Sequence, residues 1–252
     1  MRNSTFLTLL VLSIGLSGSY KLCAQEENTT LENPINISCD LMSRYVWRGT
    51  DFGGSPSIQP GVEYGKNGIA IGAWAAYTIN SPGEQEVDLY ASYTFKDLLT
   101  FTVTDYYFPD ELDDYNYFNY NNNTTGHILE VSLSFNGTQK LPVSLLLACN
   151  VWGDDAVRLN GDGSEGALQY STYAEASYAF KYLDVFAGVN LTGADTIIGE
   201  SGFYGDNPGV VNLGLSTTKE IQISEKYSLP LSISLITNPQ AEKIYLVAGI
   251  SF

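Results

Sequence analysis

The stretch "VDLYASYTF" (87–95), followed by "KD" (96–97) and "LTFTVT" (99–104), decides how this chain folds. In the first segment Val87, Leu89, Ala91, Tyr93 and Phe95 alternate with Asp88, Tyr90, Ser92 and Thr94. In the second, Leu99, Phe101 and Val103 alternate with Thr100, Thr102 and Thr104. A β-strand sends successive side chains to opposite faces, so each segment has one apolar and one largely polar face. So short a connection between them makes an antiparallel hairpin.

The same period of two runs through the rest of the chain. "HILEVSLSF" (127–135), "YLDVFAGVNLT" (182–192), "LSISL" (231–235) and "IYLVAGISF" (244–252) repeat it. "INISCDLMSRYVWRG" (35–49) divides into an apolar row ending in Tyr45 and Trp47 and a polar row with Asp40, Arg44 and Arg48. We read it as one strand, with both arginines on the same side. There are about twelve such segments, each of about nine to thirteen residues. That suits a tilted membrane crossing, whereas soluble strands are nearer five or six.

The connections alternate long and short, with both termini of the repeat on the short side. The long ones include 106–125, 153–167 and 193–208; the short ones include "GKNG" (65–68) and "KD" (96–97). This sorting predicts a transmembrane antiparallel up-and-down β-barrel of about twelve strands, with apolar rows toward lipid and polar rows toward the lumen. Charge follows loop length. The long connections are acidic and rich in Asn and Tyr, while Lys66, Lys96, Lys140, Lys181, Lys219 and Lys226 lie in short ones. Tyr45, Trp47, Tyr64, Tyr77, Tyr93, Phe135, Phe180 and Tyr245 fall toward strand ends and are expected to form an aromatic girdle at the headgroup level.

The formal net charge of −16 excludes nucleic acid and anionic lipid headgroups as docking partners, and suits a water-filled path that attracts cations. Residues 1–24 read as a signal peptide: Arg2, then the apolar "FLTLLVLSIGLSG" (6–18), then Ala24 before a cleavage point. Residues 25–34 then form a short periplasmic segment, and 35–252 the barrel. Cys23 is expected to leave with the leader, with lipidation at Cys23 the runner-up that Lys21 in the preceding "YKL" disfavours, and Cys39 and Cys149 fall on non-neighbouring strands, which argues against a pair.

"SRYVWRG" (43–49), Pro56, Gln59 and Tyr64, then Gly72 and Trp74, resemble the opening of the TorF-like porin family of exported bacterial proteins. The specific part of the likeness spans about 35 residues of this chain. "LVAGISF" resembles an outer-membrane C-terminal signal closing on Phe252 and read by the barrel-assembly machinery. The resemblance implies a barrel in the cell outer membrane, a channel role, and outer-membrane lipid and small solutes as partners.

No nucleophile or phosphate-binding motif is present. His127 is the single histidine, and "GDGSEG" (161–166) lacks the full register of a calcium loop. No enzyme activity, cofactor or metal is therefore expected. By parity the lumen holds Asp40, Arg44, Arg48, Glu63, Trp74, Asp88, Glu130, Glu175 and Asp184, with acids in excess. The expected function is passive diffusion of small hydrophilic solutes or ions through a monomer with a cation-leaning lumen. A closed adhesion or structural barrel is the alternative, and an outer-membrane hydrolase the third. Whether the arginine row faces open water or an ion-paired plug is left open by the sequence.

Overall fold

The computed structural model describes residues 33–80, 85–109, 116–122, 124–225 and 227–252. The leader assigned to 1–24 and nearly all of 25–34 lie outside them. Twelve strands close into one antiparallel barrel: β1 (Ile35–Met42), β4 (Ser57–Lys66), β5 (Ile69–Thr78), β6 (Gln85–Phe95), β7 (Leu99–Tyr107), β8 (His127–Phe135), β9 (Val143–Gly153), β12 (Thr172–Ala179), β13 (Asp184–Asn190), β14 (Gly209–Ser224), β15 (Tyr227–Asn238) and β16 (Lys243–Ser251). Sequence neighbours pair throughout, and β1 meets β16 to close the ring. Two small hairpins stand apart from the wall: β2 (Tyr45–Trp47) with β3 (Thr50–Phe52), and β10 (Val157–Leu159) with β11 (Glu165–Leu168).

Closure leaves no free edge, so every strand of the wall finds ladder partners on both sides. The predicted parity holds across the hairpin that opened the reading: Val87 to Phe95 pairs with Tyr107 to Leu99 in continuous register. The apolar rows point outward and stay exposed: Ile37, Ile71, Phe101, Leu145, Leu147, Ile244 and Leu246 all lie on this face. An apolar belt on every side of a molecule has no stable home in water, and it defines a transmembrane barrel. Tyr64, Tyr93, Phe135 and Phe180 stand on the outer face at the end holding the short turns, and Tyr77 at the end holding the long loops.

Inward, several glycines give way to large neighbours. A Cβ on Gly72 would lie 2.4 Å from the Tyr90 ring directly across the sheet, and one on Gly214 would lie 2.5 Å from Phe186. The rings lie flat over bare backbone, which lets a narrow barrel carry bulky inward residues.

Two sequence expectations need correction here. "KEIQISEK" (219–226) is not a connection through its length, because β14 runs sixteen residues to Ser224 and pairs with β15 up to Tyr227. The segment 35–49 is not one strand either. β1 ends at Met42, the chain bends at Ser43, and Tyr45 to Phe52 folds into the lumen as the β2–β3 hairpin.

Candidate functional site

The inturned hairpin is built around a two-residue turn. Arg48 (φ 47°) and Gly49 (φ 82°) connect Trp47 to its partner Thr50, the left-handed pair that matches strand twist in a tight hairpin. Position 49 admits only glycine on a second ground: a Cβ there would lie 2.0 Å from the Val211 carbonyl oxygen. The Gly49 carbonyl in turn accepts a 3.3 Å hydrogen bond from Asn238 Nδ2. The turn thus presses directly on β14 and is pinned from β15.

Each face of the hairpin meets the wall. Tyr45 packs against Phe52 and Trp74 at ring distances of 5.3 and 5.5 Å, and Trp47 against Tyr106 and Tyr204 at 5.5 and 5.8 Å. Val46 joins Met42, Phe186, Ile236 and Val247, with Tyr245 beside them. Phe203 and Tyr204 come from the 191–208 connection, so a second loop enters the same plug.

Arg48 sits at its centre. Nη1 lies 2.5 Å from Glu130 Oε2 and Nη2 3.0 Å from Oε1, a bidentate pair. Nη1 also donates to the Tyr204 hydroxyl, which donates to Glu130 Oε2 at 3.1 Å, and Tyr106 donates to Oε1 at 3.1 Å. The guanidinium carbon lies 4.3 Å from the Trp47 ring centre and 4.7 Å from that of Tyr173. With 8% and 3% of the two side chains exposed, this is a buried ion pair with its remaining polar atoms bonded. Removing one member would strand the other's charge.

The remaining predicted lumen residues are distributed around this core. Glu63 accepts from the Tyr90 hydroxyl at 2.9 Å. Glu175 accepts from Asn212 Nδ2 at 2.9 Å and from the Tyr173 hydroxyl. Asp88 is fully buried next to Trp74, its cross-strand partner. Asp40 sits across from Ser251, and Asp184 across from Ser216. Arg44 is not in a row with Arg48: it pairs with Asp51 across the hairpin at 2.7 Å and is 42% exposed.

The girdle assignment is corrected at three positions. Tyr45 and Trp47 are buried inside the barrel because the chain turns inward at Ser43. Tyr245 faces inward because it pairs with Ile236, a lumen residue. Glu86, two residues before Asp88 on the same inward face and 4% exposed, was missed; the parity of "EVDLY" would have placed it.

At the loop end, on the outer face, His127 is enclosed by Tyr107, Tyr117 and Tyr120. Nδ1 lies 2.8 Å from Asp105 Oδ1 and Nε2 lies 2.7 Å from the Tyr117 carbonyl oxygen. Both ring nitrogens are engaged, which leaves neither to activate a nucleophile. In "GDGSEG", Asp162 Oδ1 accepts from the Ser164 amide and hydroxyl, bonds that hold its carboxyl below the usual range. Nearby, Glu200 gathers the Leu159 and Asp195 amides and Arg158 Nη1, all at 2.9 Å, tying the 154–171 and 191–208 loops together. Cys39 and Cys149 are free thiols.

A closed twelve-stranded up-and-down barrel with an apolar outside and a polar, ring-plugged inside is a membrane-barrel architecture. Residues 25–157, just over half of the chain, match a family described as "Bacterial protein of unknown function (Gcw_chp)", and the chain belongs to that family. No curated protein matches it. Among solved structures it is similar to a KdgM porin at 8% identity and a TM-score of 0.44, covering 86% of this chain and 97% of that one. It is similar also to a mutant of the Rh. blastica porin at 14% identity and a TM-score of 0.35, covering 78% of this chain and 55% of that one.

Proposed function

We propose that this chain is an outer-membrane channel of the TorF-like porin type, passing small hydrophilic solutes or ions with a preference for cations. The observation that carries the proposal is the inward charge pattern inside an apolar shell. Asp40, Glu63, Glu86, Asp88, Glu130, Glu175 and Asp184 occupy inward positions on the wall, and of the two arginines only Arg48 is sunk among them. An acidic bore raises the local concentration of cations and opposes anions. The hairpin stands as the closure at the loop end. Outer-membrane lipid and the barrel-assembly machinery are its partners in biogenesis, with Phe252 as the assembly signal, and the working unit is a monomer.

Single-channel recording of the refolded chain in planar bilayers tests this. Discrete conductance steps and a cation-selective reversal potential under a salt gradient are expected. A properly folded protein without steps would sink the channel reading, and anion preference would contradict the role of the acids. A second reading, a closed barrel acting through its loops, draws support from the plug itself and from Ile197, which is 95% exposed in the 191–208 loop. Absence of steps would favour it.

A further inference from the structure

Beside the inturned hairpin lie two carboxyl groups with no cation to answer them. Glu86 and Asp88 point into the lumen from the same face of β6, 4% and 0% exposed. Neither Asp88 oxygen finds a hydrogen-bond donor. The charged groups that act on it have the same sign: Glu86 on its own face most strongly, then Asp105 through the wall and Glu130. Arg48, the buried cation of this region, is spent in the bidentate pair with Glu130. From the hairpin, the buried Tyr45 hydroxyl comes up beside both carboxyl groups, directed to Glu86. Three acidic or phenolic oxygen groups from two separate elements therefore converge with the Tyr45 O–H as the donor among them, directed to Glu86, and Asp88 is left without one. Burying such a set uncompensated is strongly unfavourable.

We propose that Glu86, Asp88 and the Tyr45 hydroxyl form a binding site for a hard inorganic cation of the calcium type. Carboxylates two residues apart on a strand stand about 7 Å from each other along the backbone. That separation suits an ion held by oxygens at about 2.3–2.6 Å. Two carboxylates supply up to four oxygens and two negative charges, and the phenol supplies a fifth ligand, with water completing the shell. Among the described residues no three of His, Cys, Asp or Glu converge on one point, so the site is a two-carboxylate one and binds weakly. The Tyr45 contribution makes occupancy depend on the hairpin being seated, because the third ligand arrives only with it. The site needs no flux, so its test is independent of the channel reading.

The test uses terbium(III) as the probe, supplied during refolding of the full chain into detergent micelles because the site is enclosed. Trp74 is the direct cross-strand partner of Asp88 and Tyr106 flanks it on the other side, so bound terbium receives excitation through these rings. Saturable sensitised emission that calcium displaces is expected. Asp88→Asn and Glu86→Gln are each expected to weaken binding by at least about tenfold. Trp74→Phe is expected to dim the emission at unchanged affinity, a signature that the acidic loops cannot give. Wild-type protein without sensitised emission would overturn the proposal. So would emission that Asp88→Asn leaves unaltered, which would place the ion on the loops. A carboxyl pair that responds to pH alone and never to terbium or calcium would overturn it in favour of a shared proton.

Discussion

The two halves of the lumen are built from the same strands yet filled differently. Toward the loop end the inward positions carry Trp74, Tyr106, Ile128 and Tyr173, and two connections fold in among them. Toward the turn end the inward rows are mostly hydroxyls, Thr100, Thr102, Ser132, Ser134, Ser144, Ser177, Ser232 and Ser234, broken on one side by Phe186 and Val247, where Val46 of the hairpin reaches down to them. The wall at this end thus offers a mainly hydroxyl-lined interior, and most of the closure comes from chain that left the wall. Barrel geometry and closure are separable in this molecule, and substitutions at the two ends should separate them.

The largest contrast is expected from Arg48→Ala against Thr102→Val. Removing Arg48 leaves Glu130 buried and unpaired, a loss of about 3–5 kcal/mol. Replacing Thr102 should cost under about 1 kcal/mol, the scale of one hydroxyl's hydrogen bond. Urea unfolding followed by tryptophan fluorescence reads both, and equal losses would remove the distinction between the halves. If the channel reading holds, only Arg48→Ala also raises the conductance.

A finer comparison uses the two left-handed turns. Gly49 sits in the hairpin, and Gly68 (φ 80°) closes β4 onto β5 at the turn end, where a Cβ would meet the Thr94 carbonyl oxygen at 2.6 Å. Alanine at either should cost about 1–3 kcal/mol through backbone strain. Only Gly49→Ala should change conductance or the Trp47 emission spectrum. A matching change from Gly68→Ala would mean that closure depends on the whole wall.

The smallest effect concerns the loops above the plug. Backbone amides of Asp195 and Leu159, then Arg158, hold the Glu200 carboxyl below its ordinary range. A carboxylate depressed in the folded state stabilises above its unfolded value and loses that stabilisation as pH falls through the lower, folded one. The clasp should therefore persist from neutral pH through the ordinary glutamate range and release only in stronger acid. Glu200→Gln should mimic that release at neutral pH, with nicking of the 154–171 or 191–208 loops a few-fold faster under limited proteolysis. Loss of the wild-type clasp already at mild acidity would contradict this sign.

The wall was legible because lipid on one side and polar side chains on the other impose strict alternation, and alternation survives in a single sequence. Asp88, Glu63, Glu130 and Glu175 could be placed inward by counting in twos. The plug was not legible for the same reason: "SRYVWRG" also alternates, so it passed for more of β1. A signal against one strand was present in Gly49 behind Arg48 and the glycine pair at 53–54, which mark a turn more than a membrane crossing. Tyr45 and Trp47 have the composition of a headgroup belt, and composition does not say on which side of a wall a ring lies. Tertiary contact with Tyr106, Tyr173 and Tyr204, from three distant parts of the chain, decided it.

The meeting of β1 with β16 is short. Three ladder pairs, Asp40 with Ser251 through Met42 with Gly249, are extended by reciprocal backbone bonds between Cys39 and Phe252, whereas β1 and β4 share eight pairs. Every other junction joins strands adjacent in sequence and can zip as the chain emerges, but this one must wait for β16. It is therefore the clasp of the bracelet, fastened after the links are made and the first place where the ring would part under lateral tension in the bilayer.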